Sequence, residues 1–324
     1  MKKATKFLSL VMASAMILSA TACGTGSGSA KAKYNVGICQ LVEHPALDAA
    51  TQGFQDALKE KLGDDVAFDV KNAQNDSPTC STITNTFVSN GYDLILANAT
   101  PSLQAASAST AEIPILGTSI TDYATALGIS DWTGVTGKNI SGTSDLAPLD
   151  KQAECIKELF PDAKNIGILY CSSEANSKYQ ADVISQYLTD LGYTCTVFTF
   201  SDSNDVAAVT QSACDASDII YIPTDNTAAN CTEAINNVAL PAKTPIFAGE
   251  EGICSGCGVA TLSIDYYDIG FLAGEMAYEI LVNGADPATM EIKTAPEVTK
   301  KYNKANAESL GITIPEDYTA IESE

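Results

Sequence analysis

Two apolar patterns alternate along the chain from residue 34 to about 283. Short runs that are apolar almost throughout and rich in β-branched residues read as buried strands: YNVGICQL at 34–41, YDLILAN at 92–98, IPILGTS at 113–119, NIGILYC at 165–171 and DIIYIP at 218–223. Between and after them lie stretches with apolar residues three and four apart, such as ALDAATQGFQDALKEKL at 46–62 and IGFLAGEMAYEIL at 269–281, which predict amphipathic helices. Strand–helix–strand alternation of this kind is the mark of an α/β fold built on open parallel sheets flanked by helices.

The alternation contains a repeat. Asn35-Val36-Gly37-Ile38 is echoed by Asn165-Ile166-Gly167-Ile168, and YDLILANATPSLQAA by SDIIYIPTDNTAANC, with Asp93 answered by Asp218. The Pro114 strand start is echoed at Pro245. Three anchors in the same order predict two similar lobes. Right-handed crossovers place every strand's C-terminal end on one edge of its sheet, and ligands bind beyond that edge. Facing lobes therefore form a cleft lined by residues 40–44, 99–102 and 118–122 of the first lobe and 172–177, 224–227 and 250–251 of the second. The expected boundaries are 34–142 plus about 265–293 for lobe 1, and 143–264 plus about 294–324 for lobe 2, joined by a multi-strand hinge.

Residues 1–22 read as a signal peptide: Lys2, Lys3 and Lys6, an apolar core too short to span a bilayer, then small residues ending at Cys23. The site resembles a bacterial lipobox, which implies lipidation of Cys23 and a flexible Gly/Ser tether over 23–33. The formal net charge is −22, and removing the leader makes it more negative. That excludes nucleic acid as a partner and leaves membrane attachment to the lipid. There is no arginine, so a carboxylate ligand cannot be held by a guanidinium clamp. His44 is the sole histidine, and the ten cysteines show one CxxC, Cys254-Cys257, without a partner pair. Neither a metal site nor a cofactor is expected, and that pair reads as a local disulfide or two buried thiols.

GICQLVEHPALDAATQGFQDAL, ILYCSSEANS, IYIPTDNTAA and LSIDYYDIGFLAGEMAYEIL together resemble the bacterial extracellular solute-binding lipoproteins of ABC transporters, in the branch associated with tryptophan and tyrosine uptake. The resemblance covers the mature chain. It implies the type I periplasmic-binding-protein fold and a monomeric, non-enzymatic, membrane-anchored receptor outside the cell. Such a receptor closes on an amino acid and delivers it to a membrane permease; a surface receptor or adhesin on the same fold is the alternative. No nucleophile elbow, phosphate loop or metal-ligand set argues for catalysis.

An amino acid needs acceptors for its ammonium, donors for its carboxylate and a walled side-chain pocket. Asp225 is the leading ammonium partner, with Asn226 and Glu250 beside it; a helix N-cap is the competing role for Asp225. With no arginine, the carboxylate falls to helix N-termini and to the groups Thr100, Ser102, Thr118, Thr121, Ser173 and Asn176 of those loops, and Glu174 is a further ligand-binding candidate. Gln40 and His44 follow the first strand, and Asp265 and Tyr266 stand where the chain leaves the second lobe. Trp132, Tyr123, Tyr170, Tyr266 and Tyr267 are the candidate aromatic partners.

Overall fold

The computed structural model describes residues 32–322; the expected signal peptide, Cys23 and most of the tether lie outside the described residues. Thirteen strands run through these residues. They are β1 (Tyr34–Gln40), β2 (Val66–Asn72), β3 (Leu94–Asn98), β4 (Ile115–Ile120), β5 (Ile140–Ser144), β6 (Asn165–Cys171), β7 (Thr194–Phe200), β8 (Ile219–Ile222), β9 (Ile246–Ala248), β10 (Ala260–Ser263), β11 (Lys293–Thr294), β12 (Thr299–Tyr302) and β13 (Thr319–Ala320). The first sheet has the order β11-β5-β4-β3-β1-β2, the second β13-β12-β10-β9-β8-β6-β7. Every pairing is parallel except β10 with β12.

The repeat is structural as well as textual, since β2-β1-β3-β4-β5 and β7-β6-β8-β9-β10 follow the same order. Its sequence anchors make the same bonds. The Asn35 N–H donates to Asp93 Oδ2 at 2.7 Å, and the Asn165 N–H to Asp218 Oδ2 at 2.8 Å. Ile95 and Ile220 likewise donate to the carbonyls of Pro114 and Pro245, both at 3.0 Å. Each aspartate ties the start of one strand to the next, which is why this residue type recurs.

The chain crosses between sheets after β5, after β10 and between β11 and β12. The expected boundary at residue 142 falls inside β5: the first sheet continues through Ser144, because ISGTS is a fully buried strand. Gly142 is required there; its φ is +143°, and a Cβ would lie 2.0 Å from the Gly117 carbonyl oxygen.

After the second crossing, the helix Tyr266–Asn283 packs along the helix Pro45–Leu62, which carries one wall of the cleft at its N-terminus. Close approach depends on small residues. A Cβ on Gly270 would meet the Ala50 carbonyl oxygen at 2.0 Å. Gly270→Ala is expected to lower stability by about 1–3 kcal/mol by forcing the helices apart. A fall in the urea midpoint at constant m-value would show this, and an unchanged midpoint would show that the pair separates freely.

Candidate functional site

Between the lobes, beyond the C-terminal ends of the strands, lies a narrow cavity. Lobe 1 contributes His44, Ala46, Leu47, Ser119 and Thr121; lobe 2 contributes Asn176, Thr224, Asp225, Asn226, Ala229 and Glu250. Asp145 and Tyr266 line it from the first and second crossings.

Three of these residues are buried carboxylates. Asp225 is the N-cap of the short helix Asn226–Ala229; Oδ1 accepts from the Ala228 N–H and Oδ2 from the Cys171 N–H, both at 2.7 Å. Burial, reinforced by the nearby Glu174 carboxylate, holds its pKa well above the usual range. Glu250 caps the helix Glu251–Cys257, accepting from the Gly252 N–H at 2.6 Å and from the Ile253 N–H. Burial pushes its pKa up to about 7. Asp145 accepts from Thr121 Oγ1 at 3.2 Å and from the Tyr266 hydroxyl at 3.0 Å, and burial pushes it up to about 6. Among the described residues no lysine lines the cavity, and His44 is kept from charging because burial lowers its pKa. The three acids therefore share one enclosed space without a cation. No group of three or more His, Cys, Asp or Glu side chains among the described residues is arranged to hold a metal ion.

Of the candidates read from sequence, His44, Thr121, Asn176, Asp225, Asn226, Glu250 and Tyr266 meet at this cavity. Glu174 stands one layer back. Its Oε1 accepts from the Thr227 N–H and hydroxyl, both at 2.8 Å, and its Oε2 from the Asn226 N–H at 3.0 Å and Asn226 Nδ2 at 2.7 Å. It thereby fixes Asn226 and Thr227, two of the residues that reach across to lobe 1.

The others are placed elsewhere. Gln40 is turned into lobe 1, donating to Asp48 at 2.6 Å and accepting from Thr51 at 2.6 Å. Thr100 begins the helix Thr100–Ser109, and Ser102 sits between the Cys39 and Cys80 thiols at 3.7 and 3.6 Å. Thr118 accepts from Thr143 within the sheet. Ser173 is exposed beside Cys171, and Asp265 is an exposed N-cap. Of the aromatic candidates only Tyr266 lines the cavity: Tyr123 and Tyr170 are core residues, while Trp132 and Tyr267 are exposed. Cys254 and Cys257 are free, buried thiols.

Ser119 and Thr224 fall within the predicted cleft loops without having been singled out, whereas Asp145 and the lining alanines escaped the sequence analysis. Asp145 directly follows β5, a strand the sequence analysis did not mark, so it was not read as an acid at a strand end.

Contacts cross the cleft. His44 Nε2 lies 3.3 Å from Asn226 Oδ1, Asn75 Nδ2 donates to Thr227 Oγ1 at 3.0 Å, and Gln180 Nε2 donates to Thr121 Oγ1 at 3.3 Å. The lobes are shut on the cavity. Two matched α/β lobes hinged by three crossings and closed over an acid-lined space define a type I periplasmic-binding-protein architecture. Residues 35–323 match the sequence model of the family described as ABC transporter substrate binding protein. This chain belongs to that family. It is 39% identical to a tyrosine-binding protein of Clostridioides difficile (strain R20291), over 96% of this chain and 93% of that protein. Among solved structures, an ABC domain from Streptococcus pneumoniae in complex with L-Trp superposes with a TM-score of 0.84 at 34% identity, covering 88% of this chain and 97% of that one. A ligand-free, open substrate-binding protein with adhesive properties from Clostridium difficile gives 0.69 at 37% identity, covering 90% and 100%. Similar identity with different superposition agrees with a closed lobe arrangement here.

Proposed function

We propose that this chain is the extracytoplasmic receptor of an ABC importer and that it closes on a free aromatic amino acid, without turnover, for delivery to a membrane permease. The observation that carries this reading is the set of three buried carboxylates, Asp145, Asp225 and Glu250, around one cavity that, among the described residues, no cationic side chain lines. Buried charge must be paired, and a ligand ammonium supplies the missing partner. Asn176 adds an acceptor, for its Oδ1 is buried with no hydrogen-bond partner among the described residues.

The aromatic side chain has room on the hinge side. There the cavity borders a wider space past Ala46, Ala49, Ala229 and Ile264, with Tyr266 at their junction. Small residues beside one ring leave a flat slot suited to a second ring. Tyrosine and tryptophan, named for the two relatives, are ligands of the kind such a slot would take. Anchoring to the outer face of the cell membrane through a lipid on Cys23 belongs to the same proposal. A role in adhesion on this fold is a second reading, favoured by the adhesive relative.

Thermal unfolding across the full amino-acid panel tests the function. Tyrosine, tryptophan or phenylalanine at about a hundred times its Kd is expected to stabilise the protein by about 2.7 kcal/mol, a rise of several degrees in Tm. Absence of a shift from any amino acid would sink the proposal.

A further inference from the structure

The acids account for one end of the ligand; its carboxylate still needs donors, and the chain has no arginine to offer. Ser119 is built for such a role. It is a non-glycine residue with φ +57°, in the left-handed region that side chains disfavour by about 1–2 kcal/mol. It lies in a β-bulge, where the β4–β5 register shifts between Gly117 and Ile120. Bulges beside functional sites re-aim a side chain, and here Ser119 is aimed into the cavity. Its hydroxyl is buried and, among the described residues, has no hydrogen-bond partner. The neighbouring hydroxyls are engaged: Thr118 with Thr143, Thr121 with Asp145 and Gln180.

A second donor set faces the same space. The eighteen-residue helix Pro45–Leu62 has no side-chain cap, because His44 at its N-cap makes no capping bond. Ala46 and Leu47, in its first turn, line the cavity, and their N–H groups have no acceptor among the described residues. A helix start of this kind favours an anion. Asp48, the acid in that turn, is bonded to Gln40 at 2.6 Å.

We propose that the Ser119 hydroxyl and the N–H groups of Ala46 and Leu47 form the ligand's carboxylate subsite, so that the ligand lies with its anionic end on lobe 1 and its ammonium on lobe 2. The inference rests on the amino-acid reading above and deepens it: the substrate class is the zwitterion, and the decarboxylated amine is rejected. Each end of the ligand then belongs to a different lobe, so only a molecule carrying both charges holds the lobes together.

Calorimetric titration of the wild-type protein, Ser119→Ala and Ser119→Gly with L-tyrosine and with tyramine decides it. Alanine removes the hydroxyl and keeps the strained backbone; glycine removes both, so a folding defect in the first variant is separated from the loss of the donor. Both variants are expected to lose about tenfold or more in tyrosine affinity, the worth of a hydrogen bond to a charged group, while tyramine affinity changes little. The tyrosine-to-tyramine ratio therefore narrows. Wild-type protein that binds tyrosine, with the ratio unchanged in both variants, overturns the subsite alone. Wild-type protein that binds neither tyrosine, tryptophan nor phenylalanine overturns the function and this inference with it.

Discussion

Asparagine in place of Asp225 is expected to weaken tyrosine binding by about a hundredfold or more, with a much smaller effect on folding. The two effects separate because the carboxylate has two roles. As a cap it accepts from Ala228 through Oδ1 and from Cys171 through Oδ2; asparagine is nearly as good an N-cap as aspartate and keeps the first bond, losing only the second, whereas alanine loses both. As the buried negative charge facing the ligand it has no neutral substitute; losing one partner of a desolvated, hydrogen-bonded charge pair costs about 2–5 kcal/mol in affinity. Calorimetry on the variant, with its urea midpoint as control, reads the two separately. Undiminished affinity in a folded variant would reduce Asp225 to a cap. Asp225→Ala is the harsher change: it strands both N–H groups and is expected to lower the midpoint as well.

The second large effect is on pH. Asp145 and Glu250 have pKa values raised to about 6 and about 7, and that of Asp225 is raised further above the carboxylate range, all chiefly by burial. A carboxyl whose folded pKa exceeds its unfolded value adds stability below the unfolded range, near pH 4, and loses it as pH rises through the folded pKa. The ligand-free protein is therefore expected to melt progressively lower from about pH 5 to about pH 8. A bound ammonium favours the ionised acids, so binding releases protons, and affinity rises over the same window by up to about tenfold per pH unit for each proton released. The ligand-induced rise in Tm should thus be largest near pH 8 and smallest near pH 5, with Glu250→Gln flattening the trend. Affinity that is flat or improves toward acid would show that these acids do not meet the ligand's charge.

Much of this architecture was legible before any coordinates, for a definite reason. Buried parallel strands are apolar on both faces and leave unbroken runs, and the Asn35–Asp93 and Asn165–Asp218 ties stamped the same letters on both lobes. Strand ends then located the cleft, because topology fixes which edge the loops share. What the sequence withheld depends on side-chain direction. Gln40 and Ser102 follow or adjoin the correct strand ends yet turn into lobe 1, where Asp48, Thr51 and two thiols engage them. Ser119 faces the cavity only because a bulge reverses it, and no pattern of letters announces a bulge at a serine. Asp145 sits on a crossing directly after β5, a strand that the apolar pattern did not mark because ISGTS is short and polar in letters.

Two of the acids around the cavity also begin helices, and this restricts how the protein can change over evolutionary time. A substitution at Asp225 or Glu250 by a residue that cannot cap a helix would disturb local folding together with the proposed recognition, so most drift at either position is doubly penalised. Ala46, Ala49 and Ala229 carry no such second duty. A lineage shifting to a new amino acid would find its accessible mutations among those three, reshaping the slot while the charged anchor is inherited unchanged.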